Sequence, residues 1–151
     1  MQCFFFCIQF GPSTRRPNCG EPWIECVFES AANGRIELIA SPLVKLTNKA
    51  DAAMESLGTP DQVIGRIGSI LTGADFDADE SLVASGSSKG PDGRTYYTYE
   101  LNSPYSKTGN RILASVTTKG EVFLILKLSA SDKQWAKAED TLRKARDTFT
   151  A

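Results

Sequence analysis

The sequence predicts an α+β fold, an α/β/α sandwich in which helices flank a central antiparallel sheet. Three features of the 151 residues lead to this prediction. A C-terminal helix has a narrow apolar stripe, which must pack on another surface. Strand-like runs joined by glycine-containing turns precede it and supply that surface. Among them, Phe123–Leu126 is apolar at every position, so we expect one strand to be buried on both faces.

The C-terminal helix is the element that the sequence marks most clearly. Ser131 precedes it and Gln134 stands three residues later, which predicts a capping box over the first free backbone N–H groups. Charged residues occupy the faces away from the apolar stripe. The stripe consists of Trp135, Ala138, Leu142, Ala145 and Phe149.

The strands before this helix are separated by short turns. Pro91-Asp92-Gly93 is a turn because proline fixes φ and glycine accepts a positive φ. Lys119-Gly120 is the short connection typical of a hairpin. The predicted strands are Ser81–Ser88, Arg94–Asn102, Arg111–Thr118 and Val122–Leu128.

Another hairpin is predicted earlier in the chain, from strands at Trp23–Glu29 and Arg35–Ala40. Asn33-Gly34 between them favours a type I′ turn, because both residues accept a positive φ. Residues 43–57 show no clean periodicity. We predict a loop there, with a helical turn near Ala50–Ser56.

A second helix is predicted to begin after Thr59, whose capping box is completed by Gln62, and to end at Gly73. Gly65 and Gly68 weaken the helix interior, so we expect them to permit close packing on a sheet. The apolar face consists of Val63, Ile64, Ile67, Ile70 and Leu71.

Asp75, Asp77 and Asp79 begin an acidic segment that resembles the start of a calcium loop. An EF-hand needs glycine at position 6 and glutamate at position 12, whereas Glu80 and Gly86 stand there. The segment is therefore not an EF-hand. We interpret it as a solvated acidic loop and keep the three aspartates as candidate calcium ligands.

Composition excludes several classes of function. The chain is expected to form one domain. It has no histidine, and this absence excludes Ser-His-Asp catalysis, Cys-His catalysis and histidine-ligated zinc within the chain. Residues 1–80 carry six basic and eleven acidic side chains, whereas residues 81–151 carry eleven basic and seven acidic ones. Halves of opposite net charge favour docking by complementary charge over nucleic-acid binding.

Residues 1–26 differ from the rest and are predicted to form a divergent, partly disordered N-terminal arm. The spacing of the cysteines matches no common zinc pattern, so unpaired thiols are favoured, with two disulfides or a metal site as alternatives. No apolar run reaches the ~20 residues of a membrane span, and neither a signal peptide nor a transit peptide is evident. The arm contains all four cysteines: Cys3, Cys7, Cys19 and Cys26.

The remaining residues, 27–151, resemble the PsbP family of thylakoid-lumen proteins. Its best-known member is an extrinsic subunit of the oxygen-evolving complex of photosystem II. The matching stretches lie at the start of a predicted helix, at the start of a predicted strand, in the last hairpin and in the C-terminal helix. They are Gly58–Asp61, Asp92–Tyr97, Ala114–Val116, Gly120–Phe123 and Ser129–Phe149.

The resemblance implies an α/β/α sandwich, a location in the chloroplast thylakoid lumen and a role that is not enzymatic. Family members retain calcium and chloride at the water-oxidising centre or assist the assembly of thylakoid complexes. This chain lacks the family's usual opening strand and the histidines that the photosystem II subunit uses in metal and cofactor contacts. Both departures favour a PsbP-like or PsbP-domain protein over the principal subunit.

The leading hypothesis is a monomeric lumenal protein that associates peripherally with photosystem II, with calcium as the one candidate cofactor and no nucleic-acid partner. Photosystem I and the thylakoid NAD(P)H dehydrogenase complex are alternative partners. A thiol redox protein using the N-terminal cysteines and a small-ligand or calcium-binding module using the acidic loop are alternative functions. The predicted docking residues are Lys107, Arg111, Lys133, Lys137, Arg143 and Lys144.

Overall fold

The computed structural model describes residues 4–6, 23–47 and 51–151 of the chain. The strands of this part are β1 (Phe4–Phe6), β2 (Trp23–Ser30), β3 (Gly34–Pro42), β4 (Leu82–Lys89), β5 (Thr95–Asn102), β6 (Arg111–Lys119) and β7 (Val122–Ala130). The helices are α1 (Val44–Thr47), α2 (Pro60–Thr72), α3 (Ala78–Ser81) and α4 (Asp132–Asp147), with a 3-10 helix at Met54–Leu57. Among the described helices, none has the length and apolar character needed to cross a membrane.

The strands form one antiparallel sheet in the order β1-β2-β3-β7-β6-β5-β4. The β2–β3 hairpin joins the β6–β7 hairpin through β3 and β7, from Arg35 opposite Ser129 to Pro42 opposite Val122. This pairing places β7 in the interior of the sheet. Phe123 and Ile125 pack on one face of it and Leu128 on the other, which confirms the prediction of a strand covered on both sides.

Helices cover both faces of the sheet, so the predicted sandwich is confirmed. On the first, which we call the α2 face, buried residues of α2 pack on β5, β6 and β7. On the second, the α4 face, α4 packs on β6, β7 and β3. The helix residues buried in these two layers are Val63, Ile64, Ile67 and Leu71 from α2, and Trp135, Ala138 and Leu142 from α4.

Both predicted capping boxes are present. Thr59 and Gln62 exchange backbone and side-chain hydrogen bonds at the start of α2, and Ser131 and Gln134 do the same in α4. The end of α2 is also as predicted, because Gly73 adopts the left-handed conformation with φ of 67°. Tyr97 and Tyr99 then fix the start of α2 to the sheet, since their hydroxyl groups donate to Gly58 O, just before the helix, and to Pro60 O, in its first turn.

The first hairpin turns one residue earlier than predicted. Ser30 pairs with Gly34, so the loop consists of residues 31–33 and Gly34 begins β3. Asn33 N donates to Ser30 O at 3.2 Å, and the positive φ of Gly34, 101°, follows this turn. Glycine is required for space as well, because a Cβ atom at Gly34 would lie 2.4 Å from Ser129 O.

The end of α4 also differs from the prediction. The helix stops at Asp147, so Phe149 is not part of its buried stripe. The Phe149 ring instead meets the Tyr96 ring edge-to-face, with the centroids 6.0 Å apart. The C-cap is Thr148, whose backbone N–H bonds to Arg146 O and Lys144 O. The sequence-based prediction extended the helix past this cap, so its placement of Phe149 on the buried stripe was wrong.

Three segments contain structure that the sequence did not predict correctly. Residues 43–57 contain loop and, close to the predicted helical turn, the 3-10 helix, whose Met54 and Leu57 are buried in the core, but α1 was not predicted. The acidic segment contains the one-turn helix α3. Gly68 contacts the ring of Phe76, and space around Gly65 is open, so neither glycine serves packing on the sheet. The predicted arm boundary, between residues 26 and 27, falls inside β2, and that division of the chain stays a prediction.

Candidate functional site

The outward side of α4 carries three lysines. Lys133, Lys137 and Lys144 are all exposed, and at 3.6 residues per turn they lie within about 40° of one another around the helix. Within the described part of the chain, the ion pairs of α4 involve only Asp132, Glu139, Arg143, Arg146 and Asp147. The three ammonium groups are therefore available to a partner, and we call this surface the lysine face.

The packing of α4 explains why the lysines share one side. Trp135, Ala138 and Leu142 are buried against β6 and β7, so the residues half a turn away point outward. The capping box fixes where the helix begins, and Gln134 Nε2 donates to Ala31 O in the β2–β3 turn at 3.0 Å. The lysine face is thus carried on a helix anchored at its start.

Arg143 lies on another side of α4 and is used internally. Its two terminal nitrogens each donate a 2.9 Å hydrogen bond to an oxygen of Glu100 in β5, and its Nε donates to Glu139. Its Cζ lies 5.2 Å from the Trp135 ring centroid, close enough for a cation–π attraction. The hydrogen bonds from Arg143 lower the pKa of Glu100. Arg143 therefore fastens α4 to β5.

Arg111 has a similar position at the start of β6, where the predicted strand Arg111–Thr118 also begins. Its Nε donates to Asp132 Oδ1 at 3.0 Å, and its Cζ lies 5.9 Å from the Trp135 ring centroid. Hydrogen bonds from Asn110 and Arg111 lower the pKa of the Asp132 carboxyl. Arg111 thus binds the first turn of α4 to the sheet.

Lys107 is exposed but lies apart from the lysine face. Its backbone N–H donates to Thr72 O at 3.1 Å, at the end of α2. Its side chain passes beside Gly73, where a Cβ atom would lie 3.3 Å from Lys107 Cδ. The structure therefore brings together Lys133, Lys137 and Lys144 from the predicted set, and places Lys107 in the α2 layer.

The three candidate calcium ligands are exposed and are not gathered into a site. Asp77 Oδ1 accepts a 2.9 Å hydrogen bond from Asp79 N, which caps the start of α3. In the part of the chain that the structure describes, no three Asp, Glu, Cys or His residues are grouped to hold a metal ion. Of the cysteines proposed for redox chemistry, Cys26 lies in β2 opposite Leu38, and the other three fall outside the described residues.

A buried ionic cluster on the α2 face was missed from the sequence. Lys127 Nζ lies 3.2 Å from Glu37 Oε2, and both side chains are 5% exposed. Arg35 Nη2 donates to the other oxygen, Oε1, at 3.0 Å. Burial lowers the pKa of Lys127, although Glu37 opposes this shift. Strand alternation could have revealed the pair, because Glu37 and Lys127 share the parity of the buried Ile39 and Ile125.

Comparison with known proteins identifies the family. The protein-family model described as PsbP matches residues 25–151. PsbP domain-containing protein 6, chloroplastic, of Arabidopsis thaliana is 42% identical over 134 residues, which cover 89% of this chain and 50% of that protein. PsbP domain-containing protein 4, chloroplastic, of the same plant is 26% identical over 128 residues, or 83% and 46% of the two chains. The chain spans about half the length of these relatives.

A solved structure agrees with the fold. The solution structure of cyanobacterial PsbP from Synechocystis sp. PCC 6803 matches with a TM-score of 0.56 and 24% identity, over 85% of this chain and 72% of that one. This similarity supports the α+β arrangement of sheet and helices. Since the family model covers most of the sequence and a curated relative is 42% identical, the chain belongs to the PsbP family.

Proposed function

We propose that this protein is a non-catalytic, peripheral component or assembly factor of a photosynthetic membrane complex in the chloroplast, on the lumenal side of the thylakoid. The family match over residues 25–151 carries this proposal. The curated relatives that are named chloroplastic support the compartment. Photosystem II is the first partner to test, and photosystem I and the NAD(P)H dehydrogenase complex are the alternatives.

The lysine face is the docking surface that we propose. A partner must present acidic side chains to it, because Lys133, Lys137 and Lys144 carry three positive charges on one side of a fixed helix. Exposed charges of this kind chiefly set the association rate and the orientation of docking, and each contributes about 0.2–1 kcal/mol. Arg143 and Arg111 support the surface from within, by holding α4 on the sheet.

Salt is expected to weaken this association. The screening length falls from about 8 Å at physiological ionic strength to about 3 Å at 1 M, so lysine–carboxylate contacts at the rim of an interface lose most of their attraction. Calcium binding by this chain itself is not part of the proposal, because the carboxylates of Asp75, Asp77 and Asp79 are not clustered.

Co-purification tests the proposal. An affinity-tagged copy of the full chain, isolated from gently solubilised thylakoids, should bring down subunits of one photosynthetic complex and release them in 1 M NaCl. Protease protection in intact and opened thylakoids tests the lumenal location. Recovery without any thylakoid complex, or digestion in intact thylakoids, would contradict the proposal.

A further inference from the structure

A polar cleft lies on the α4 face, between the last turn of α4 and strands β4, β5 and β6. Its volume is about 270 Å³, the liquid-phase share of about nine water molecules. Thr98 and Ser115, which are paired across β5 and β6, line it. Ser88 from β4 and Arg146 from α4 line it as well, and the edge-to-face rings of Tyr96 and Phe149 form an aromatic side.

Four of the hydrogen-bonding side chains that line the cleft have groups without a partner among the described residues, whereas those of Lys89, Tyr96, Asp147 and Thr148 are already bonded. Ser115 is only 2% exposed, yet its hydroxyl makes no hydrogen bond there, and neither do the hydroxyls of Thr98 and Ser88. The Arg146 side chain is 15% exposed and uses only its Nε, which donates to Asp147 Oδ1 at 2.8 Å. Both terminal nitrogens of the guanidinium are left to bind a further group.

We propose that this cleft binds a small hydroxylated monocarboxylate, such as a sugar acid. The two terminal nitrogens of Arg146 match the two oxygens of a carboxylate. The hydroxyls of Ser88, Thr98 and Ser115 both donate and accept, as the hydroxyl groups of such a ligand require. The apolar edge of the ligand meets Tyr96 and Phe149.

Charge limits the ligand to a single negative charge. Asp147, which also lines the cleft, already occupies one edge of Arg146, and Glu100 nearby is paired with Arg143. Lys89 lines the cleft as well, but its Nζ is paired with Glu55 Oε1 at 2.8 Å. The C-terminal end of α4 adds about half a negative charge, which the full charge of the guanidinium outweighs. A phosphate dianion would be left poorly compensated. This site is separate from the lysine face and does not depend on the proposed docking function.

Titration with sodium D-glucuronate, followed by the backbone amide signals of the ¹⁵N-labelled full chain, tests this assignment. Glucuronate should shift the Thr98 and Ser115 signals saturably in the millimolar range. D-glucose, which lacks the carboxylate, should bind at least fivefold more weakly, and so should inorganic phosphate. Arg146→Gln should weaken glucuronate binding about tenfold, whereas Lys137→Gln, an equal charge change elsewhere on α4, should leave it unchanged.

Ser115→Ala and Thr98→Val provide a second test that leaves the helix intact. Each should weaken glucuronate binding severalfold without loss of fold, and they decide the matter if Arg146→Gln does not fold. The assignment is overturned if glucuronate causes no saturable shift at these amides up to 50 mM, or if glucose or phosphate binds as tightly. Equal binding by wild type, Ser115→Ala and Thr98→Val would also overturn it.

Discussion

The buried cluster of Glu37, Lys127 and Arg35 allows a quantitative test of the core. Glu37→Gln removes the one negative charge between two cations, while keeping the size and shape of the side chain. Lys127 is 5% exposed and would then face Arg35 without a counter-ion. Breaking a buried ion pair typically costs about 3–5 kcal/mol. Because the glutamine oxygen still accepts a hydrogen bond, we expect a loss of about 3 kcal/mol in the free energy of unfolding.

Removal of the opposite partner should cost less. In Lys127→Met, Arg35 still donates to Glu37 at 3.0 Å, so the carboxylate keeps a counter-ion and we expect a loss of about 1–2 kcal/mol. The double variant removes both charges and should lose less than the sum of the single variants, with a coupling of at least about 1 kcal/mol.

Urea denaturation of wild type, Glu37→Gln, Lys127→Met and the double variant measures these differences in the free energy of unfolding. Glu29→Gln is the matched control, because Glu29 also faces Arg35, at 3.7 Å, but is 68% exposed, and its loss should cost under about 0.5 kcal/mol. Equal stabilities of Glu37→Gln and Glu29→Gln would refute this reasoning, as would a larger loss in Lys127→Met than in Glu37→Gln.

The pH dependence of the Glu37→Gln variant follows from the lowered pKa of Lys127. The Lys127 ammonium holds its proton more tightly in the unfolded than in the folded chain, so the free energy of unfolding rises with pH between the folded and the unfolded pKa of Lys127. Loss of Glu37 removes an influence that raises the folded pKa. The deficit of the variant should therefore shrink as the pH rises from 7 to 10, and a constant deficit would contradict this account.

Two further predictions concern α2 and α4. Gly68→Ala would place a Cβ atom 2.1 Å from the Phe76 ring, whereas the Cβ atom of Gly65→Ala would meet open space. We therefore expect Gly65→Ala to be about 0.5–1 kcal/mol more stable than wild type, and Gly68→Ala to be up to about 2 kcal/mol less stable. Urea or thermal unfolding measures both differences. Arg143→Gln should raise the pKa of Glu100 towards its ordinary value, as followed by NMR titration. Because the pKa of Glu100 is lower in the folded than in the unfolded protein, its carboxylate stabilises the fold above the unfolded pKa, and this stabilisation is lost as the pH falls through the folded pKa. The variant lacks most of this stabilisation, so its free energy of unfolding should fall less than that of wild type on acidification.

The regular elements could be predicted because their signals are local in the sequence. The capping boxes at Thr59 and Ser131, the apolar stripe of α4 and the continuous apolar run of β7 depend on spacings of a few residues. The lysine face also follows from helical spacing once the buried side of α4 is known. These features therefore needed no knowledge of the tertiary structure.

The features that could not be predicted depend on residues far apart in the chain. Arg143 meets Glu100 across 43 positions, and this contact holds α4 on β5, a structural role that its position in the helix does not indicate. Phe149 packs on Tyr96 because the chain leaves the helix at Thr148. The cleft beside Arg146 arises from three strands and a helix end, which no spacing along the sequence brings together.

The most direct test of the central claim measures binding of charge variants to salt-washed thylakoid membranes. Lys137→Glu/Lys144→Glu reverses two charges of the lysine face, and Arg66→Glu/Lys119→Glu makes the same change at exposed positions elsewhere. We predict that the first variant binds about tenfold more weakly than wild type at low salt, that the second binds normally, and that wild type is released at 1 M NaCl. Equal binding by both variants, or retention of wild type at 1 M NaCl, would contradict docking through the lysine face.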